Sequence, residues 1–193
     1  MPREGLRRGR AALIWLCLTM SAATAGAQAP VVVPSPQDAP IGRVGSLDEI
    51  VRMSRCDLDR LYQGSRPGPL PEGKVRGRAI FFPGTALARP TSRFTRLLWQ
   101  GKVIDGAHGR ASNRFFGVKF IKGYLGYGPS WMDGQPATIL DYAETSHLYA
   151  NYRDEIRQVG PGLFLGAMYS RTTPEPTFLM YFALQALPKR GGS

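Results

Sequence analysis

The sequence predicts a mainly β domain of the α+β class, with a sheet that forms a single antiparallel barrel or half-barrel. After residue 67, glycine and proline divide the chain into short pieces that have the composition of strands. Short turns join most of these pieces, which favours antiparallel pairing over a parallel βαβ sheet. At least one predicted strand is apolar on both faces, and such a strand has to be covered on both.

Length and composition restrict the class of protein further. The chain has 193 residues with a formal net charge of +11, and 43% of its residues are hydrophobic. Such a hydrophobic share excludes a disordered chain, and two cysteines exclude a disulfide-framework protein. The length is that of one globular domain.

The N-terminus has the layout of a secretory signal peptide over residues 1–27. Four arginines precede an apolar run at 11–20, and the small residues Ala25-Gly26-Ala27 supply a cleavage site. An uncleaved anchor is the alternative, but the apolar run is shorter than the roughly 20 residues needed to span a bilayer. We therefore expect an exported protein, periplasmic or secreted, with Cys56 as its single mature cysteine.

Beyond the signal peptide we expect three segments. Four prolines predict an extended linker at 28–45, a single folded domain is expected at 46–187, and a disordered tail at 188–193. The domain begins with the capping box Ser46-x-x-Glu49, and apolar residues at spacings of three and four predict one helix that ends before Gly64. Two short helical insertions are expected at 91–99 and 145–157.

The strands define the expected architecture. They are predicted at 74–82, 100–105, 113–121, 122–128, 136–142, 162–171 and 177–186. The last of them places Phe178, Met180 and Phe182 on one face and Leu179 and Tyr181 on the other. A closed barrel of lipocalin-like plan, with an apolar interior and a helix against its outside, covers both faces of such a strand. A β-sandwich covers them too.

The block from 128 to 169 carries a resemblance to known sequences. It contains Asp133-Gly-Gln-Pro136, Leu140-Asp-Tyr142 and the run 153–166, Arg-Asp-Glu-Ile-Arg-Gln-Val-Gly-Pro-Gly-Leu-Phe-Leu-Gly. These motifs resemble those of a group of uncharacterised proteins. The resemblance implies a shared fold and transfers no catalytic residue.

The same block holds the densest group of titratable side chains. Asp141, His147 and Asp154 are candidate acid/base groups for an envelope enzyme, since a histidine beside carboxylates can act as a general base. The competing interpretation is a charged surface helix. The spacing does not match a zinc motif, and the sequence predicts neither a metal site nor a cofactor.

The leading hypothesis is a non-enzymatic protein that binds an apolar or amphipathic, lipid-like small molecule inside the barrel. Aromatic residues on the predicted strands are the candidate lining: Phe116, Phe120, Tyr124, Phe164, Phe178 and Phe182. In a small barrel the same side chains can simply fill the interior. A structural or interaction protein of the envelope is a further alternative.

The positive charge suggests a second partner. Fifteen basic residues fall between 50 and 122. Because export makes nucleic acid an unsuitable partner, we expect either an anionic envelope surface as the partner or a role in solubility alone.

Overall fold

The computed structural model describes residues 44–188, so the predicted signal peptide, nearly all of the linker and nearly all of the tail lie outside the described residues. Eight antiparallel strands form a closed barrel in chain order, and the last strand pairs with the first. The strands are β1 Gly73–Ile80, β2 Trp99–Asp105, β3 Arg110–Phe115, β4 Val118–Pro129, β5 Pro136–Asp141, β6 Tyr152–Gly160, β7 Leu163–Ser170 and β8 Thr177–Ala186. The predicted fold class is therefore confirmed, with closure rather than a half-barrel or a sandwich.

The predicted N-terminal helix is two helices, α1 Leu47–Arg52 and α2 Arg55–Gln63. Met53 between them has extended backbone angles, and Ser54 starts a new helix by accepting a hydrogen bond from the backbone N–H of Asp57 at 3.2 Å. Serine at this position satisfies an amide that would otherwise lack a partner. The apolar spacing continues across the break, so periodicity alone could not reveal it.

Two apolar clusters cover the two faces of the sheet. The barrel interior holds Phe164, Phe182 and Leu184 with neighbours from most strands. The outer cluster packs α1 and α2 against β6, β7, β8 and β1, with Ile50, Leu58 and other helix residues fully buried. The inference that a strand apolar on both faces needs cover on both is confirmed.

The predicted helix at 145–157 is wrong. Its first part consists of turns, and its second part is the start of β6. Asp154 and Ile156 point into the barrel, whereas Glu155 and Arg157 point outward and are still buried under α2 and the β4–β5 turn. Charged residues lie on both faces of β6, so the sequence does not show the apolar alternation of a strand. In sequence, charges buried in ion pairs cannot be told from charges on the solvated face of a helix.

The predicted strands 113–121 and 122–128 are redistributed into β3 and β4. The turn between them falls at Phe116 and Gly117, which have φ values of 48° and 82°. Two successive positive φ values are typical of a type I′ hairpin turn. Phenylalanine is an unusual residue there, so the sequence did not indicate the turn. The insertion predicted at 91–99 is α3, Ala88–Leu98.

Candidate functional site

A cavity of about 260 Å³ lies in the end of the barrel nearest α3. Its lining is mainly apolar and comes from α3 and from strands all round the barrel. Leu98, Trp99, Phe115, Met168, Met180 and Phe182 provide most of the apolar surface. The volume is slightly below the usual range for small-molecule pockets, about 300–1,000 Å³.

Glycines on the inner face make room for the two large rings of this cavity. A Cβ atom added at Gly77 would lie 2.7 Å from the ring of Trp99, and one added at Gly166 would lie 2.1 Å from the ring of Phe182. Both distances are far inside van der Waals contact. The two rings meet edge to face with centroids 5.7 Å apart, and they form a rigid apolar wall.

Among the polar side chains that line the cavity, four form one hydrogen-bonded group, here called the polar cluster: Lys102, Asn113, Tyr142 and Asp154. Each is at most 4% exposed. Lys102 Nζ lies 2.7 Å from Asp154 Oδ2, 2.8 Å from Asn113 Oδ1 and 3.0 Å from the Tyr142 hydroxyl oxygen. The Tyr142 hydroxyl donates to Asp154 at 2.6 Å and accepts from the Asn113 amide at 2.8 Å.

Burial dominates the electrostatics of the cluster. It lowers the pKa of Lys102, and the carboxylate of Asp154 partly opposes this by favouring the ammonium. Burial also raises the pKa of Tyr142 well above its ordinary value, and the nearby charge of Asp154 adds to the shift. Tyr142 is therefore a neutral hydrogen-bond donor at physiological pH.

The cluster keeps hydrogen-bonding capacity facing the cavity. All three protons of Lys102 have acceptors. Within residues 44–188, the hydrogen bonds to Asp154 reach Oδ2, which leaves Oδ1 as a free acceptor. The Asn113 amide uses one of its two protons on Tyr142, which leaves one free donor. The polar cluster therefore keeps one acceptor and one donor that its own hydrogen bonds do not use, in a mainly apolar cavity that Thr95 and Tyr149 also line.

The predicted aromatic lining is distributed over three environments. Phe182 is in the cavity wall, and Phe164 is buried in the interior cluster away from the cavity. Phe178 packs in the outer layer, where the guanidinium of Arg55 lies 3.9 Å from its ring centroid. Phe116, Phe120 and Tyr124 are exposed. A bulge beside Tyr169 shifts the pairing register next to Phe178, and the turn at Phe116 ends the predicted strand.

The three candidate acid/base residues do not come together. His147 is exposed in the turns before β6. Asp141 forms an ion pair with Arg171 near the surface. Burial acts to raise the pKa of Asp141, but the hydrogen bonds from Arg171 and the Ala143 N–H and the nearby positive charges together outweigh it, so that pKa is lowered. Of the three, only Asp154 lines the cavity, and its partner there is Lys102.

Sequence reasoning missed Lys102, Asn113 and Tyr142. The signal was present for Lys102, because it stands two residues before Ile104 and therefore shares the inward face of β2. It was overlooked because a lone lysine in a strand is normally solvated. Its acidic partner is 52 residues away, and no local pattern connects the two.

A second group of buried charges fixes α2 to the barrel. Arg157 donates to both carboxylate oxygens of Asp133 at 2.7 Å and to the carbonyls of Tyr62, Gln135 and Pro136, so all five of its N–H groups are used. Glu155 accepts from Ser130 Oγ at 2.5 Å and from the Trp131 N–H. With its donors and acceptors satisfied inside the protein, we assign this group a structural role.

The described residues offer few other types of site. They contain no group of three or more His, Cys, Asp or Glu side chains that could hold a metal ion. Among residues 44–188 there is also no helix with the length and apolar character required to span a membrane.

Fold and cavity together define an eight-stranded antiparallel β-barrel of lipocalin-like plan with a cavity at one end. No protein-family model and no curated protein matches the chain. Among solved structures, the chain is similar to one described as "Crystal structure of protein from Thermomonospora curvata". That match has a TM-score of 0.47 and 22% sequence identity, and it covers 73% of this chain and 95% of the other.

Proposed function

We propose that this protein binds a small amphipathic molecule in the barrel cavity, with the polar end of the ligand at the polar cluster. The observation that carries the proposal is a mainly apolar cavity whose polar cluster has one acceptor and one donor left unused. Buried hydrogen-bonding groups are costly when they lack partners. A ligand that pairs with them and covers the apolar wall would gain from both contacts.

The charges of the cluster favour a neutral polar end. Lys102 is already neutralised by Asp154, and all of its protons are used. A carboxylate ligand would place a second negative charge beside Asp154 without a free cation to compensate it. A hydroxyl group can donate to Asp154 Oδ1 and accept from the Asn113 amide. The expected ligand class is therefore a lipid-like alcohol.

Titration of the purified protein with 1-decanol tests this proposal, and decanoate serves as the charged comparison. Trp99 lines the cavity, so a background with Trp15→Phe and Trp131→Phe gives a fluorescence signal that reports on the site. We expect saturable binding of 1-decanol and at least tenfold weaker binding of decanoate. Native mass spectrometry provides a second readout, namely the mass of a one-to-one complex.

Two variants that replace an alanine by leucine make the test specific to the cavity. Ala79 is buried and lines the cavity, so Ala79→Leu fills part of the space and should abolish binding. Ala143→Leu adds the same atoms at an exposed turn and should bind like the wild type. Wild-type protein that binds no 1-decanol, or an A79L variant that binds it normally, would contradict the proposal.

We also propose that the chain is exported and cleaved after Ala27. The basis is the order of arginines, apolar run and small residues at the N-terminus. Intact-mass measurement on protein from the periplasm of a Gram-negative host should give a chain that begins at Gln28. A chain retained in the cytoplasm with its N-terminal segment intact would refute export.

A further inference from the structure

Helix α3 has its apolar face toward solvent. Phe94 and Leu97 are 65% and 66% exposed, and Leu98 is partly exposed beside them. The face toward the barrel buries the small residues Ala88 and Ser92 instead, and Ser92 Oγ accepts a hydrogen bond from buried Arg78 at 3.0 Å. A helix in a globular protein normally buries its apolar stripe. This reversed orientation leaves apolar area available for a partner.

The tip of the β3–β4 hairpin extends the exposed apolar area. Phe116, Val118 and Phe120 are 71%, 65% and 57% exposed. The hairpin adjoins the end of α3, because the Phe116 N–H donates to the Leu98 carbonyl at 3.1 Å. We call Phe94, Leu97, Phe116, Val118, Phe120 and the exposed Leu148 the mouth surface.

The mouth surface adjoins the cavity. A groove of about 440 Å³ lies among Phe116, Val118, Phe120 and Leu148, and Phe115 and Tyr149 line both this groove and the cavity. A molecule that leaves the cavity past these two side chains would therefore enter the groove. An exposed apolar patch of this kind marks an interaction site rather than ordinary surface.

The charge around the mouth surface is positive. Arg93 and Arg96 are exposed on α3, and Lys119 and Lys122 are exposed on β4. Residues 73–132 contain eleven basic residues and a single acidic one, Asp105. Apolar side chains among cations suit a surface with an apolar interior and an anionic outer layer.

We infer that the mouth surface docks on an anionic lipid bilayer. Its aromatic and aliphatic side chains enter the boundary between headgroups and acyl chains, while the basic residues of α3 and β4 contact lipid phosphates. This inference stands without the proposed ligand, because it depends on exposed residues alone. If the proposed function also holds, docking would place the cavity opening against the membrane from which a lipid-like alcohol partitions.

Vesicle flotation with the purified protein in its proposed mature form, which begins at Gln28, tests the docking. We expect binding to vesicles that contain phosphatidylcholine and about 30% phosphatidylglycerol, and much weaker binding to phosphatidylcholine alone. Binding should weaken as salt rises, because salt screens the attraction between cations and lipid headgroups. Equal binding to both vesicle types, or no binding to either, would overturn the inference.

Two double variants divide the surface into its apolar and charged parts. Phe94→Ser with Leu97→Ser should reduce binding at least tenfold, since both side chains are removed from the apolar contact. Arg93→Gln with Arg96→Gln should reduce it about 25-fold, at roughly fivefold for each basic residue near an anionic surface. Each pair should lose binding while the fold, measured by circular dichroism, stays unchanged.

Matched controls exclude a general loss of charge or apolar surface. Arg52→Gln with Arg60→Gln removes two exposed charges on α1 and α2. Tyr127→Ser with Leu187→Ser removes exposed apolar groups near the distal ends of β4 and β8. Both should bind like the wild type, and a loss as large as that of the α3 variants would overturn the inference.

A second copy of this chain is the competing occupant of the mouth surface. Light scattering of the protein without lipid distinguishes it. We expect the mass of one chain for the wild type and for the Phe94→Ser, Leu97→Ser variant. A wild-type dimer that this variant converts to a monomer would assign the surface to self-association and contradict membrane docking.

Discussion

At the scale of single residues, Lys102 and Asp154 form a buried ion pair in the cavity wall, with side chains 2% and 4% exposed. Lys102→Met would leave the carboxylate of Asp154 buried beside neutral groups. Removing one partner of a buried pair typically costs about 3–5 kcal/mol. We expect the free energy of unfolding, measured by urea titration, to fall by that amount.

The double variant Lys102→Met, Asp154→Asn separates the pair from the rest of the cluster. Its buried site carries no charge, and the Asn can still accept from the Tyr142 hydroxyl. The double variant should therefore be more stable than Lys102→Met alone. Additive losses in the double variant would mean that the two charges do not interact as the geometry indicates.

Asp133 should make the free energy of unfolding depend on pH in the acidic range. Burial acts to raise the pKa of Asp133, but hydrogen bonds from Arg157 and from the Gln135 amide outweigh it and lower the pKa below 3.8. A carboxyl whose pKa is lower in the folded state contributes stability that is present above its unfolded pKa. That contribution is lost as pH falls below 3.8 toward the folded value.

Urea titrations at a series of pH values check this linkage. Asp133→Asn should lower the free energy of unfolding at pH 7 and should flatten its decline below about pH 4. Glu175→Gln, an exposed carboxyl in the β7–β8 loop, is the control and should leave the curve unchanged. A wild-type curve that runs parallel to that of Asp133→Asn over the whole pH range, without converging on it below pH 4, would refute the linkage.

At the scale of elements, the β3–β4 hairpin has a turn that its sequence does not favour. Phe116 has a φ of 48°, a conformation that costs a non-glycine residue about 1 kcal/mol. Asparagine tolerates this conformation and is preferred before glycine in type I′ turns. Phe116→Asn should therefore raise the free energy of unfolding by about 1 kcal/mol and at the same time weaken binding to anionic vesicles.

Opposite effects on stability and on vesicle binding would separate the two roles of this position. Urea titration gives the first quantity and flotation gives the second. A Phe116→Asn variant that is destabilised would show that the phenylalanine ring contributes packing within the protein. Unchanged vesicle binding would remove Phe116 from the mouth surface.

At the scale of the whole molecule, a ligand that binds only the closed barrel should stabilise it. At 1-decanol concentrations about 100 times the dissociation constant, mass action adds about 2.7 kcal/mol. For a domain of this size, that corresponds to a rise in Tm of roughly 5–10 °C. Differential scanning fluorimetry should show this rise for the wild type and none for Ala79→Leu.

Local patterns predicted the barrel and the helical start but not all of the elements. Capping by Ser46 and the two apolar faces of β8 are visible within ten residues of sequence. Residues 152–157 of β6 were predicted as part of a helix, because charged residues have the same identity in sequence whether they are buried in ion pairs or solvated. The break at Met53 was missed because the apolar period of α1 continues in α2.

The candidate site was much less predictable than the fold. Phe182 was expected in the cavity and lies there, and Asp154 lies there as well, although it was expected as a catalytic group. The other aromatic residues were placed in the barrel interior by assuming that side chains alternate between the two faces along each predicted strand. A bulge and an unforeseen turn change the face of every later residue in a strand.

The amino-acid pattern was enough to predict the class of this protein. Apolar alternation, turn residues and strands that are apolar on both faces can each be recognised within a short stretch of sequence, and each has a direct structural consequence. The tertiary structure alone decided the site, because Lys102 on β2, Asn113 on β3, Tyr142 just after β5 and Asp154 on β6 come together only inside the closed barrel. It alone decided the outward face of α3 as well. An amphipathic stripe shows which residues share a side of a helix, and packing determines which side faces solvent.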